Sequence, residues 1–185
     1  MIKDNERLFL ALPFDSKEQK EVLNETFSWH QLGFQKWTHP DDWHITLHFL
    51  GNIDARNQAQ IKPAVQEAVR GLSPFPLCLE RTGYFGQPAR PAVLWLGPKQ
   101  APAELARLHA STGEQLQRFI GYTPEERPYS PHLTLARKYA GSLPLQPEQL
   151  PAIAAYCWEV TEVALYRSRL GHRPMYEILD RIPLN

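Results

Sequence analysis

An α+β fold with mainly antiparallel pairing is predicted for this 185-residue chain. Three observations carry that expectation. Apolar alternation at period two recurs in about seven or eight segments, whereas helical periodicity recurs in only about three. So few helices cannot cover a parallel sheet at every crossover, which leaves antiparallel pairing as the way to close the ladders. Finally, His44-Ile45-Thr46-Leu47 returns as His132-Leu133-Thr134-Leu135, each in a strand-like run reached from a helix directly or through one loop. The chain therefore reads as two lobes of related plan.

The first strand is RLFLALPF, in which Leu8, Leu10 and Leu12 alternate with Phe9 and Ala11. Ser16 with Gln19 then forms a capping box. Val22, Leu23, Thr26, Phe27 and His30 follow at helical spacing until Gly33 stops the helix. Residues 43–50 are the first histidine strand. Asp54 caps a second helix that carries Ile61, Val65, Ala68 and Val69 and closes at Gly71, with Pro63 predicting a kink or a late start. Residues 77–85 and 93–96 read as two strands of a hairpin around Gly86, Pro88 and Pro91. Residues 102–119 place Leu105, Leu108, Thr112, Leu116 and Phe119 on one helical face, with Gly121 just beyond. The second histidine strand follows. A proline-rich loop over residues 142–151 then leads to a strand run over 156–166 and a last strand over 175–179.

Residues 1–185 are long enough for one well-buried two-lobed domain and short for two independent ones. Hydrophobic residues make up 43% and tryptophans number five, as in a folded globular protein. No long uninterrupted apolar stretch predicts a membrane span, and no small-residue cleavage site follows the apolar run near the start. Cys78 and Cys157 lie in apolar strand-like runs, so buried thiols are expected rather than a disulfide or half of a metal site. The expected compartment is the cytoplasm. Twenty basic and twenty acidic residues cancel, which argues against a strongly basic surface for long nucleic acid while leaving room for a local basic patch. A small or terminal substrate fits this balance, and no obligate protein partner is inferred.

Histidine and threonine two apart on a strand point the same way. Two such strands facing one another would present two imidazoles and two hydroxyls across a groove. One imidazole can take a proton while the other gives one, and the hydroxyls can hold non-bridging phosphate oxygens where charge develops. If a neighbouring ribose hydroxyl is held in a cyclic phosphate, base-aided attack of water and acid protonation of the leaving oxygen open the ring without a metal or other cofactor. Leucine at the fourth position of both copies, in matching strand context, argues against coincidence.

By alternation His48 shares the face of His44 and Thr46 and is a candidate to line the same groove; its spacing from His44 would suit a zinc pair only on a helix. His30, His39, His109 and His172 show no partner pattern and are expected in surface or capping roles. Arg137 suits bidentate phosphate binding, but strict alternation places it opposite His132, so only a bulge or the strand's end would turn it inward. Among Phe9, Phe49, Tyr84, Phe85 and Trp95, which could offer a base a stacking surface, Phe49 is assigned to the core and Phe9 kept as the candidate base contact.

RLFLALPF, WHITLHFLG, VLWLG, SPHLTLAR and TEVALYRS, in that order, resemble the LigT-like RNA 2′,3′-cyclic phosphodiesterases of the two-histidine phosphoesterase superfamily across essentially the whole chain. The resemblance implies a bilobal fold with a pseudo-twofold axis, in which two mainly antiparallel sheets face a central cleft with the helices outside. It implies His44 as proton donor, His132 as proton acceptor, Thr46 and Thr134 as phosphate ligands, and Arg137 as a further substrate contact. The implied reaction hydrolyses a terminal 2′,3′-cyclic phosphate on RNA to a 2′-phosphate. The same chemistry in reverse, with a 5′ hydroxyl in place of water, gives 2′,5′ ligation.

Two other readings compete with this one. A nucleotide- or RNA-end-binding module would keep the cleft without turnover, and intact histidines in both motifs argue against it. A metal-dependent phosphodiesterase built on His39, Asp41 and Asp42 lacks an H-x-H or H-x-D-x-H spacing in convincing strand context.

Overall fold

The computed structural model describes residues 6–25 and 29–185. In chain order these form β1 (Glu6–Pro13), α1 (Lys17–Glu25), β2 (Phe34–Trp37), β3 (His44–Ile53), α2 (Ala55–Ala68), β4 (Phe75–Leu79), β5 (Arg81–Gln87), β6 (Arg90–Gly97), α3 (Ala103–Ile120), β7 (Leu133–Tyr139), β8 (Tyr156–Val160), β9 (Glu162–Ser168) and β10 (Tyr176–Pro183). All the strand pairs are antiparallel, and the class is the α+β one expected.

Some helix ends follow the side-chain signals, whereas α1 ends at Glu25, short of Gly33, and α2 at Ala68, short of Gly71. Ser16 Oγ accepts from the Gln19 N–H at 3.3 Å, but the Gln19 amide leaves the box to donate to the Cys157 carbonyl at 2.6 Å. Asp54 caps α2 through the Asn57 N–H at 2.9 Å. The helix runs on through Pro63, so the late start is not seen. Gly121, at φ 68°, ends α3 in the left-handed conformation that glycine adopts without cost. Thr26 and Phe27 of the first helical pattern lie outside the described residues.

Among the described residues ten strands form, where seven or eight were expected. The apolar run over 77–85 breaks after Leu79: β4 pairs with β8 in a separate two-stranded sheet, while β5 pairs with β6. The run over 156–166 breaks in the same way at Thr161, between β8 and β9. Each long run supplies one strand to each sheet. β2 is too short to show a period and was not expected.

The larger sheet has the order β10-β9-β1-β3-β7-β6-β5, with β2 also paired to β7. Instead of two separate sheets across a cleft, one eight-stranded sheet carries two halves, and β3 meets β7 only at Ile45↔Leu133. β2 pairs with the far end of β7, at Phe34↔Tyr139, Lys36↔Arg137 and Trp37↔Ala136. Leu8, Leu10, Ile45, Leu94, Leu133 and Leu165 point from this sheet into the main core, where Ile61, Val65, Leu105, Leu108 and Leu116 of α2 and α3 meet them. A second small cluster of Phe9, Ala11, Ala164 and Tyr166 covers the opposite face of β1 and β9.

Cys78 and Cys157 are not free thiols. Phe75, Leu77 and Leu79 turn inward, so Cys78 turns out, directly opposite Cys157 on the paired strand, and the two are disulfide-bonded. A separation of 79 residues hid this partnership from the sequence. The pairing also removes the thiol argument for a cytoplasmic protein. Among the described residues, no helix is long and apolar enough to cross a membrane.

Candidate active site

The junction pair Ile45↔Leu133 sets out the site. Both side chains are fully buried in the core, so their neighbours along each strand turn to the other face. In an antiparallel register, residues flanking the pair cross over: His44 lies alongside Thr134, and His132 alongside Thr46. All four line one cavity of about 680 Å³, a size in the range of small-ligand sites.

The two histidines are held alike. His44 Nδ1 donates to the Asp42 carbonyl at 2.6 Å, and His132 Nδ1 donates to the Ser130 carbonyl at 2.7 Å. A carbonyl only accepts, so the proton is on Nδ1 in each neutral ring and Nε2 keeps its lone pair. The His44 Nε2 accepts from the Thr46 hydroxyl at 3.2 Å. Each ring also packs on an aromatic: His44 on Phe9, with centroids 4.9 Å apart, and His132 edge-on to Phe85 at 4.8 Å.

Burial lowers the pKa of His44 to about 4, against the pull of the Asp42 carbonyl, and the charges of His132 and Arg137 push the same way. Burial, with Arg137 as a smaller cause, also lowers that of His132. At neutral pH both imidazoles are neutral in the free protein. An anion that entered it would raise both values.

Two irregular strands decide which other residues reach the cavity. In β7, Leu135 has no partner on β6: Thr134 faces Trp95 and Ala136 faces Leu94. Leu135 and Ala136 both turn into the core, and Arg137 is thereby returned to the side of His132 and Thr134, where it lines the cavity. In β3, Thr46 pairs with Ala11 and His48 with Leu10, leaving Leu47 extra. This exchanges the expected places of His48 and Phe49. His48 turns to the helix side and is 3% exposed, although it still lines part of the cavity as expected; Phe49 turns to the cavity and is 52% exposed.

His48 is occupied by α3. Its Nε2 lies 2.9 Å from the His109 carbonyl and 3.0 Å from Thr112 Oγ1, the Tyr122 hydroxyl donates to its Nδ1 at 3.4 Å, and its ring stacks on that of His109 at 4.4 Å. Phe9 is 1% exposed, so it is not an open base contact. It lies under His44 and stacks on Tyr166 at 4.9 Å. Phe49 is the exposed aromatic that Phe9 was expected to be.

Several neighbours of the histidines were not legible as such in the sequence. Asp42 is 5% exposed, and its carboxylate accepts from the N–H groups of Met175 at 2.8 Å and Tyr176 at 2.9 Å, while its carbonyl holds His44. Any residue has a carbonyl, so neither Asp42 nor Ser130 could be picked out by type. Tyr176 lines the cavity with its ring 5.2 Å from that of His44. Tyr129 donates to the Thr46 carbonyl at 3.0 Å and bridges the two halves. His39 and Asp41 bond to one another, the ring Nδ1 accepting from the Asp41 N–H at 3.2 Å. Among the described residues, no three His, Cys, Asp or Glu cluster as a metal site would need.

Residues 16–172 match the model of the 2′-5′ RNA ligase superfamily. The RNA 2′,3′-cyclic phosphodiesterase of Bacillus subtilis (strain 168) is 34% identical over 182 residues, covering 96% of each chain. That of Geobacillus stearothermophilus is 35% identical over 181 residues, 95% of this chain but 56% of the relative's own length. The crystal structure of Escherichia coli LigT complexed with 3′-AMP superposes with a TM-score of 0.80 at 27% identity, covering 98% of this chain and 99% of that one.

Proposed function

Because the chain belongs to the 2′-5′ RNA ligase superfamily, which includes the LigT-like RNA 2′,3′-cyclic phosphodiesterases, we propose that it hydrolyses a terminal 2′,3′-cyclic phosphate on RNA to a 2′-phosphate. The observation that carries the proposal is the crossed register about Ile45↔Leu133, which brings an imidazole and a hydroxyl from each half to one cavity. In this reading the two halves are lobes related by a pseudo-twofold axis, and residues 1–185 act as one domain.

His132 Nε2 takes a proton from the attacking water, and its Nδ1–H to Ser130 O steadies the imidazolium that forms. On the far side, His44 enters as the imidazolium and protonates the departing 3′ oxygen. Its low intrinsic basicity makes the proton easy to give up. The Thr46 and Thr134 hydroxyls and the Arg137 guanidinium hold the non-bridging oxygens, where donors fixed in advance count most in the transition state. The two imidazoles supply both proton transfers without a metal or other cofactor. The reverse reaction, with a 5′ hydroxyl replacing water, would give 2′,5′ ligation as a side activity.

An RNA with a cyclic end, digested in EDTA, tests the reading. The expected product carries the phosphate on the 2′ oxygen, and His44→Ala or His132→Ala lowers turnover by at least about a hundredfold, with losses that do not add. A mainly 3′-phosphate product would reverse the assigned leaving group. Binding without turnover by the intact protein would make it an RNA-end-binding module instead.

A further inference from the structure

The chain has no net charge, yet the ten residues RSRLGHRPMY from Arg167 to Tyr176 hold three arginines and a histidine with no acidic residue. They form the end of the β9–β10 hairpin, and every residue from 169 to 175 is exposed. Backbone bonds give the tip a defined shape, from Arg169 N–H to the Met175 carbonyl at 2.7 Å and from His172 N–H to the Arg169 carbonyl at 3.1 Å. Glu6 and Glu177 neutralise Arg167, and Glu177 also lies 3.6 Å from Arg169. Arg173, and Arg7 at the neighbouring end of β1, have no acidic partner among the described residues.

This basic tip is fastened to the active site. The Asp42 carboxylate grips the backbone of Met175 and Tyr176 while the Asp42 carbonyl grips His44. A row of packed rings links the same two places: the exposed Phe49, the buried Phe9 and Tyr176 follow one another with centroids 5.8 and 5.0 Å apart. The exposed Phe49 at the cavity offers a base a stacking face. A cavity of about 680 Å³ suits the terminal nucleotide, so the phosphates before it must lie outside.

Resting on the function proposed above, we infer that Arg169 and Arg173 bind the backbone phosphates upstream of the cyclic end, and so make the protein prefer an RNA strand to a cyclic mononucleotide. The contact needs no base readout. Charge neutralisation alone gives affinity, which falls as salt rises.

The test compares kcat/KM at low ionic strength for a 2′,3′-cyclic mononucleotide and an RNA pentamer ending in a cyclic phosphate. The native protein should favour the pentamer. Arg169→Ala with Arg173→Ala should lower pentamer kcat/KM by about tenfold, chiefly through KM, and reduce its log–log salt slope by about 1.4, as two single-strand phosphate contacts require. Mononucleotide turnover should stay within about twofold, since neither arginine lines the cavity, and the double lysine variant should keep most of the slope. Turnover of both substrates with no length preference would overturn this inference alone, whereas turnover of neither would overturn the proposed reaction. A pentamer-specific loss in Lys36→Ala with Lys138→Ala, but not in the hairpin variant, would send the strand across β2 and β7 and refute the assignment.

Discussion

At the scale of single residues, the site is built on two histidines that are hard to protonate. With a pKa of about 4, His44 in the free protein carries a proton in only about one molecule in a thousand at pH 7. His132 is lowered too, which suits a base that must be neutral. Because kcat/KM reports the free enzyme, its profile should be bell-shaped with an optimum on the acid side of 6.5. It should fall on the acid limb as His132 protonates and on the basic limb as His44 loses its proton, the two limbs blending where the values lie close. Bound phosphate stabilises both imidazolium ions, so the optimum of kcat should lie at higher pH than that of kcat/KM. Equal optima, or a profile rising through pH 8, would mean that His44 is not the acid. The motif residues were legible because imidazole and hydroxyl are chemically particular. The carbonyls of Asp42 and Ser130 that fix the tautomers were not, since every residue has one.

At the scale of elements, alternation served until a bulge interrupted it. His44 and Thr46 precede the extra residue Leu47, so their shared face was readable; His48 and Phe49 follow it and changed places. Arg137 follows the extra Leu135 in β7, and this bulge is the first of the two ways in which it could turn inward. Bulges have no residue signature of their own here, since both extra residues are ordinary core leucines. His48 has become a structural histidine under α3, with its pKa lowered to about 4 by burial. The unfolded chain takes up this proton near pH 6.5 and the folded chain only near 4, so the stability His48 contributes is fully present above about 6.5 and is lost as pH falls toward 4. His48→Gln should therefore shrink the loss of unfolding free energy between pH 7 and pH 5 by about 2 kcal/mol, measured by urea denaturation at both pH values. An unchanged difference would mean that His48 is protonated in the folded protein.

At the scale of the whole molecule, class and helix number were legible because they rest on periodicity, while the sheet order was not, because pairing between distant strands leaves no local pattern. Neither the partition of two apolar runs between two sheets nor the Cys78–Cys157 bond could be read from composition. The least visible feature is the one on which the site depends: the halves of the large sheet meet at one backbone pair, and the acid and base flank it on opposite strands. Ile45→Ala should cost about 2–5 kcal/mol of stability, as removal of a fully buried aliphatic side chain does. Below its melting temperature the folded variant should lose kcat by more than it gains in KM. Each half can still hold its own phosphate ligands, whereas in-line transfer requires the two imidazoles to be correctly placed with respect to each other. A matching truncation of a fully buried isoleucine outside the junction, Ile61→Ala in α2, separates the causes. If both variants lost activity only in proportion to the unfolded fraction, the Ile45–Leu133 contact would be ordinary core and would not set the alignment of acid and base.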